Sequence, residues 1–193
     1  MSSPLRLLLA SLAIVCLPAQ ANWYLDNESS RLSFISSKNG DVSEVHRFLV
    51  LHGKVDRKGA AELEVELESI SSGIPLRDER MRKELFNVAA FPEALIRAQL
   101  DLRPINDLAN GAQLELRLPV NVTLHGKSHS YNAQLLATRL DERRFQVVTL
   151  EPLVLRAEHF DLLPGLETLR KAAGLKSINL SVPVGAVLIF TAR

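Results

Sequence analysis

Five histidines, a lone cysteine and a run of arginines are the side chains of this chain whose types and spacing invite chemistry. His125 and His129 stand four apart in "LHGKSH". On a helix that spacing would aim two imidazoles at one metal ion. Gly126 and the strand-like flanks instead place them across a hairpin. His46 and His52 are an even number of residues apart and so fall on one face of a strand. No cysteine stands near them and no H-E-x-x-H occurs, so no metal site is assigned. A serine hydrolase would carry its nucleophile in a G-x-S-x-G elbow, which is absent. The nearest serine-rich turn, "ISSG" at 70–73, reads as the end of a strand. Asp and Glu are numerous enough for a paired-carboxylate glycosidase, but they alternate with apolar residues and so face water. No catalytic residue is assigned.

The arginines gather in "IPLRDERMRKELFNVAAFP", residues 74–92, with Arg77, Arg80 and Arg82 inside it and Arg97 just beyond. Such a cluster can clamp a phosphate or carboxylate. For most of these residues the preferred reading is the wet face of a surface helix, where Asp78–Arg82 and Glu79–Lys83 have the favourable acid-first i,i+4 order. Phe86, Phe91 and Pro92 close the passage. The residues alone fit an active-site loop, a phosphate clamp or a lid over something that the neighbouring strands enclose.

Those neighbours must position everything else. Residues 1–21 read first as a leader: Arg6, an apolar run from Leu7 to Leu17, then Ala19-Gln20-Ala21 as an A-x-A cleavage site. The run is shorter than the roughly 20 residues that span a membrane. Bulky Val15 before Cys16 argues against a lipoprotein. Cleavage is expected after Ala21, sending a soluble domain of residues 22–193 to the periplasm, with no stable membrane insertion. The leader takes Arg6 and the only cysteine with it, leaving 22 basic and 22 acidic side chains. A neutral chain gives no support for nucleic-acid binding, and no disulfide or thiol chemistry remains.

The mature chain alternates. Leu32 and Phe34, then "HRFLVLHGKVD", form strands around a "KNGD" turn at 38–41, a strong hairpin signal. In "AELEVELESI" (61–70) Leu63, Val65 and Leu67 face one way and the glutamates the other. "EALIRAQLDL", 112–126, 128–140 around a Gly126-Lys127 turn, 145–155 and a bent closing stretch over 178–190 supply the rest. "PGLETLRKAAGLK" (164–176) reads as a short helix ended by Gly174. The expectation is an all-β protein: one antiparallel barrel or sandwich of about eight strands, with a helical insertion near 76–90 and a short helix near 165–173. A barrel of that size is either filled by side chains or holds one small ligand. The inward candidates are mostly Leu, Val and Ile with few aromatics, which points only weakly to a tunnel; a solid core lined by the same residues is the reading that the sequence favours.

With these residues placed, the mature chain resembles the YceI-like family of lipid- or polyisoprenoid-binding periplasmic proteins. "WYLDNESSRLSF" matches the family opening through Trp23, Leu25, Asp26, Ser30, Leu32 and Phe34. Phe48, Leu51, Gly53 and Val55 fit the next strand, and the Ser69-Ile70 pair ends the one after. Most specific is "RDERMRKELFNVAAFP", which carries Arg77, Asp78, Met81, Arg82, Phe86, Phe91 and Pro92 of the family's segment. Ser29 and Arg80 stand where histidines are common.

The resemblance implies a lipocalin-like barrel around a long isoprenoid chain, such as that of a quinone, with no cofactor required and no enzymatic activity. The hydrophobic ligand would touch Phe34, Phe48, Leu51, Leu67, Met81, Leu85, Phe86 and Phe91. Arg77 and Asp78 would form an ion pair or cap at the entry of the lid, and Arg80 and Lys83 would face water. The competing readings are a metal- or histidine-dependent periplasmic hydrolase, and a structural or stress-associated domain with a filled core. Oligomeric state and ligand head group are not specified by the sequence.

Overall fold

A computed structural model describes residues 22–193; the leader and its expected cleavage site lie outside the described residues. Twelve strands follow one another as β1 (Trp23–Leu25), β2 (Arg31–Lys38), β3 (Val42–Phe48), β4 (Leu51–Val55), β5 (Ala60–Glu66), β6 (Ile70–Ser71), β7 (Glu93–Gln99), β8 (Gln113–Leu124), β9 (Lys127–Asp141), β10 (Arg144–Thr149), β11 (Leu153–Arg156) and β12 (Ser181–Ala192). Several are halves of one interrupted pass. β1 and β2 run along one edge of β12, and β10 and β11 along the other. β3 and β4 pair with β2 and β1, and β5 pairs with β4. Counted as passes there are eight, each antiparallel to its neighbours. Pairing of β1 with both β12 and β4 closes the ring. The expected eight-stranded barrel is what the chain forms. Closure removes the exposed sheet edges that would otherwise template aggregation.

Local chemistry explains the turns. Asn39 and Gly40 both take positive φ in the three-residue Asn39–Asp41 loop that joins the paired Lys38 and Val42. His125 and Gly126 also take positive φ between β8 and β9, so this turn lies one residue earlier than the expected Gly126-Lys127. At Leu49–Val50 the edge of the barrel kinks. The Ser69 hydroxyl accepts hydrogen bonds from both of these backbone N–H groups, at 3.1 and 3.0 Å. The kink shifts the side-chain alternation: His46 and Phe48 face the interior before it, and Leu51 and Val55 after it, while His52 is exposed. His46 and His52 therefore do not share a face. Leu67 is buried but lies in a 3-10 turn (Leu67–Ser69), just past the strand that sequence alternation extends through it.

The helical insertion is α1 (Pro75–Arg80), continued by wider π-helical turns over Met81–Phe86. Pro75 suits the first helical position, where its missing N–H costs nothing. Asn87, at φ 48°, ends the segment. Met81, Leu85 and Phe86 point down and are buried. Arg82 pairs outward with Glu68 at 3.2 Å rather than with Asp78. A short α2 (Arg103–Asn106), not foreseen in the sequence, buries Ile105 at the opposite end of the barrel. α3 (Leu163–Ala172) is the second expected helix. It ends at Gly174 with the Leu175 N–H on the Arg170 carbonyl, which satisfies a terminal acceptor. No helix among the described residues is long and apolar enough to cross a membrane.

Candidate ligand-binding cavity

The inward face of the barrel is short of bulk. Ala61, Ala94, Ala98, Ala133, Ala137 and Ala186 all point at one lumen. Their neighbours Leu63, Val65, Ile96, Leu118 and Leu135 are thin aliphatics that cannot bridge it. A cavity of about 650 Å³ results, within the usual range for small-molecule sites. It runs the length of the barrel. At one end lie Trp23, Phe145 and Ile105; at the other lie α1, the last turn of α3 and the β2–β3 hairpin. Ile74 and Leu76, 49% and 58% exposed, border it beside Arg80, so the cavity reaches the surface here.

Six of the eight residues expected to touch a ligand border this cavity: Phe34, Phe48, Leu67, Met81, Leu85 and Phe86. Phe34 lies 5.6 Å from Phe48, and Phe48 5.9 Å from Phe86, ring centre to ring centre. This aromatic ladder joins the strand wall to the lid. Leu51 is 1% exposed and belongs to the same core, but its neighbours cover it and it does not border the lumen. Phe91 stays outside the cavity. Its ring packs on His125 at 4.6 Å, over Gly126, where a Cβ would meet the ring at 2.8 Å. The hairpin turn, not the lumen, takes this aromatic.

The charged entry of the lid is built differently from an Arg77–Asp78 pair. Both residues converge on Ser72. Its backbone N–H donates to the Asp78 carboxylate at 2.8 Å, and its hydroxyl donates there as well. Arg77 Nε donates to the Ser72 hydroxyl and Nη2 to its carbonyl, at 2.8 and 2.7 Å. The ion-pair partner of Arg77 is Glu44, 2.7 Å away on β3, which Lys38 also engages at 2.6 Å. The Lys38 hydrogen bond, with the Arg77 charge, holds the Glu44 carboxyl below its usual range. Arg80 is partly buried at the cavity mouth and reaches the Ala172 carbonyl at the end of α3, while Lys83 is exposed as expected.

Sequence reasoning left one group out of the site. Ser36, Lys38, Glu44 and His46 all border the cavity at its α1 end. The signal was present: Ser36 and Lys38 continue the register of Leu32 and Phe34, and Glu44 and His46 that of Phe48. Polar residues on an inward register mark a polar end to an apolar lumen. His46 is 3% exposed, and its Nε2 shares a hydrogen bond of 2.9 Å with the Ser36 hydroxyl. Burial, then the nearby Arg77 charge, pushes its pKa down. The remaining histidines lie away from the lumen's polar end. His125 Nδ1 lies 3.2 Å from the Phe160 carbonyl, and His129 stacks on His159 at 3.7 Å. Among the described residues no three His, Cys, Asp or Glu side chains gather as a metal site would need.

Comparison with known proteins agrees with this architecture. A polyisoprenoid-binding domain from Saccharophagus degradans, implicated in plant cell wall breakdown, is 37% identical; the match covers 89% of this chain and 98% of that one, with a TM-score of 0.87. BcnA of Burkholderia cenocepacia shares the fold at 15% identity, with a TM-score of 0.64 over 86% of this chain and 98% of that one. No curated protein sequence matches. The family model of the YceI-like domain matches residues 23–188, nearly the whole barrel. By that match, and by the fold and cavity it encloses, the chain belongs to the YceI-like family.

Proposed function

We propose that this protein holds one long isoprenoid amphiphile inside its barrel, acts by binding rather than turnover, and works in the periplasm after its leader is removed. The observation that carries the reading is the end-to-end cavity with its almost wholly hydrocarbon wall. A prenyl chain is nearly all apolar surface. Burying roughly 400 Å² of it at ~25 cal/mol per Å² supplies on the order of 10 kcal/mol. Lost freedom takes back a large share, and the remainder suffices for micromolar binding. The 37% identical Saccharophagus domain, described as polyisoprenoid-binding, supports the chain class. An isoprenoid quinone is the ligand that best suits a long apolar lumen with one polar end.

The test is extraction of the purified protein with organic solvent and mass spectrometry of the extract. A single prenyl lipid at close to one per chain is expected. A scatter of membrane phospholipids, or no lipid, would sink the reading. Ala186→Phe provides the control: a ring in the lumen should abolish lipid recovery while the fold survives. N-terminal sequencing of the exported protein should begin at Asn22.

A further inference from the structure

The outer wall of the barrel is uneven in charge. The whole chain is close to neutral, at +1. On β5 the outward positions carry Glu62, Glu64 and Glu66. The face formed by β3, β2, β12 and β11, paired in that order, is the opposite. Glu44 is the only acidic residue of these four strands, and it faces the lumen beside Lys38 and Arg77. Outside stand Arg31, Arg47 and Arg156, all exposed. Arg156 pairs with Glu158 in the turn after β11. Arg31 directs its guanidinium to the Glu28 and Ser30 carbonyls, which leave its charge unneutralised. Large aliphatics stand out among these arginines. Ile35 and Val45 are exposed cross-strand partners, and Val45 is 68% exposed. Val154 on β11 is exposed opposite Pro183 of β12, which comes just before Val184, the partner of Phe34. An apolar belt thus crosses four adjacent strands. It leads to the lid: Arg77 holds α1 against β3 through Glu44, and the exposed Ile74 and Leu76 at the start of α1 border the cavity opening.

We infer that this face docks on a bilayer surface bearing anionic phospholipids, with the belt entering the head-group layer and the cavity mouth turned towards the lipid. The inference rests on the chain-binding reading above and says where such a chain is taken up or given off. Arginines with no carboxylate on their own face are drawn to a negatively charged lipid surface. Aliphatic side chains between them gain burial in the head-group layer without needing a pocket in the partner. An exposed apolar belt on an otherwise polar wall marks an interaction surface. A second copy of the chain fits it less well. A two-fold pairing would lay one arginine-bearing face on another, with no carboxylate to match either.

The experiment is flotation of the purified protein with vesicles of phosphatidylcholine alone and with vesicles of phosphatidylcholine and phosphatidylglycerol in equal parts. Binding to the anionic vesicles should exceed binding to the neutral ones by about tenfold or more, and should fall as salt rises. Arg47→Ser should lower it about fivefold, the effect of one arginine near a charged surface. Val45→Asp should nearly abolish it. Leu140→Asp, at an exposed leucine of β9 outside this face, should leave it unchanged. Circular dichroism checks that each variant is folded. A second measurement follows farnesol uptake, by displacement of parinaric acid from the delipidated protein. With farnesol free in solution, Val45→Asp should bind it as the wild type does. With farnesol offered in anionic vesicles, Val45→Asp should load about fivefold more slowly or worse. Equal binding to the two kinds of vesicle, or none to either, would overturn the inference, as would equal losses in Val45→Asp and Leu140→Asp. So would a dimer in sedimentation equilibrium that Val45→Asp dissociates while vesicles go unbound, which would give the face to a second copy. Vesicle binding that needs Val45 and Arg47, in a protein that takes up no farnesol, would uphold the docking face and overturn the chain-binding reading instead.

Discussion

Ser72 ties the lid to the barrel. Arg77 and Asp78 grip it from both sides, and Arg77 also bridges to Glu44 on β3. Arg77→Ala leaves the Glu44 carboxylate with Lys38 alone and the Ser72 carbonyl without its donor. The Arg77 side chain is only partly shielded from water, so the loss should be moderate, about 2 kcal/mol by urea unfolding. Arg80→Ala removes only a long hydrogen bond, of 3.4 Å, to Ala172, and should change the midpoint within about 0.5 kcal/mol. Equal effects from the two would show that the Ser72 clamp is not what holds the lid. His46 adds a pH dependence. Its pKa is depressed in the fold below the usual 6.5, so below that pH the unfolded chain binds a proton that the native state refuses. Stability should therefore be full above pH 6.5 and fall as the pH drops towards the depressed value. Thermal melts of wild type between pH 7.5 and 5.5 should show the decline, and His46→Phe should lessen it. Glu44, Asp78, Lys38 and Arg77 surround the ring and set how far the window extends.

Between elements, a tight seam joins α3 to the π-helical end of the lid. Gly165 sits so close that a Cβ there would lie 2.5 Å from the Glu84 carbonyl oxygen and 2.8 Å from Leu85 Cα. Backbone cannot yield as a side-chain tip can. Gly165→Ala should push α3 off the lid, lowering stability by about 1–3 kcal/mol and speeding ligand release. The measurement pairs unfolding midpoint with dissociation rate; no change in either would mean that the two helices are not packed as a unit. Such seams are where sequence reading stopped. Alternation located the long strands and the Asn-Gly turn because these are local patterns. The lid was visible as a break in alternation with Met81, Leu85 and Phe86 along one side. What escaped depends on contacts distant in the chain. Glu44 lies 33 residues from Arg77, and the Leu49–Val50 kink that separates His46 from His52 depends on Ser69. Phe91 follows the lid in sequence yet leaves it, because Gly126 opens a flat seat on a different hairpin. An open lumen is not written in residue types alone, since Ala and Val line filled cores as well as tunnels.

At the scale of the whole molecule, the barrel is a ring in which every pass pairs with the pass before and after it. The pairing that closes the ring also joins the ends of the described chain. Trp23 lies opposite Ala192, and the Arg193 N–H donates to the Asn22 carbonyl at 3.0 Å. In such a ring the point at which the polypeptide is cut is arbitrary, and first and last strands are labels rather than roles. A circular permutant follows from this. A turn of about two to four residues suffices to join neighbouring antiparallel strands, here Arg193 to Asn22. New termini fit between the exposed Ala109 and Asn110, far in sequence from the lid. This rearranged chain should give the same far-ultraviolet circular dichroism and the same affinity for a prenyl probe as the native order. An unfolded permutant would mean that the order of synthesis, and not the ring of neighbours alone, builds the barrel.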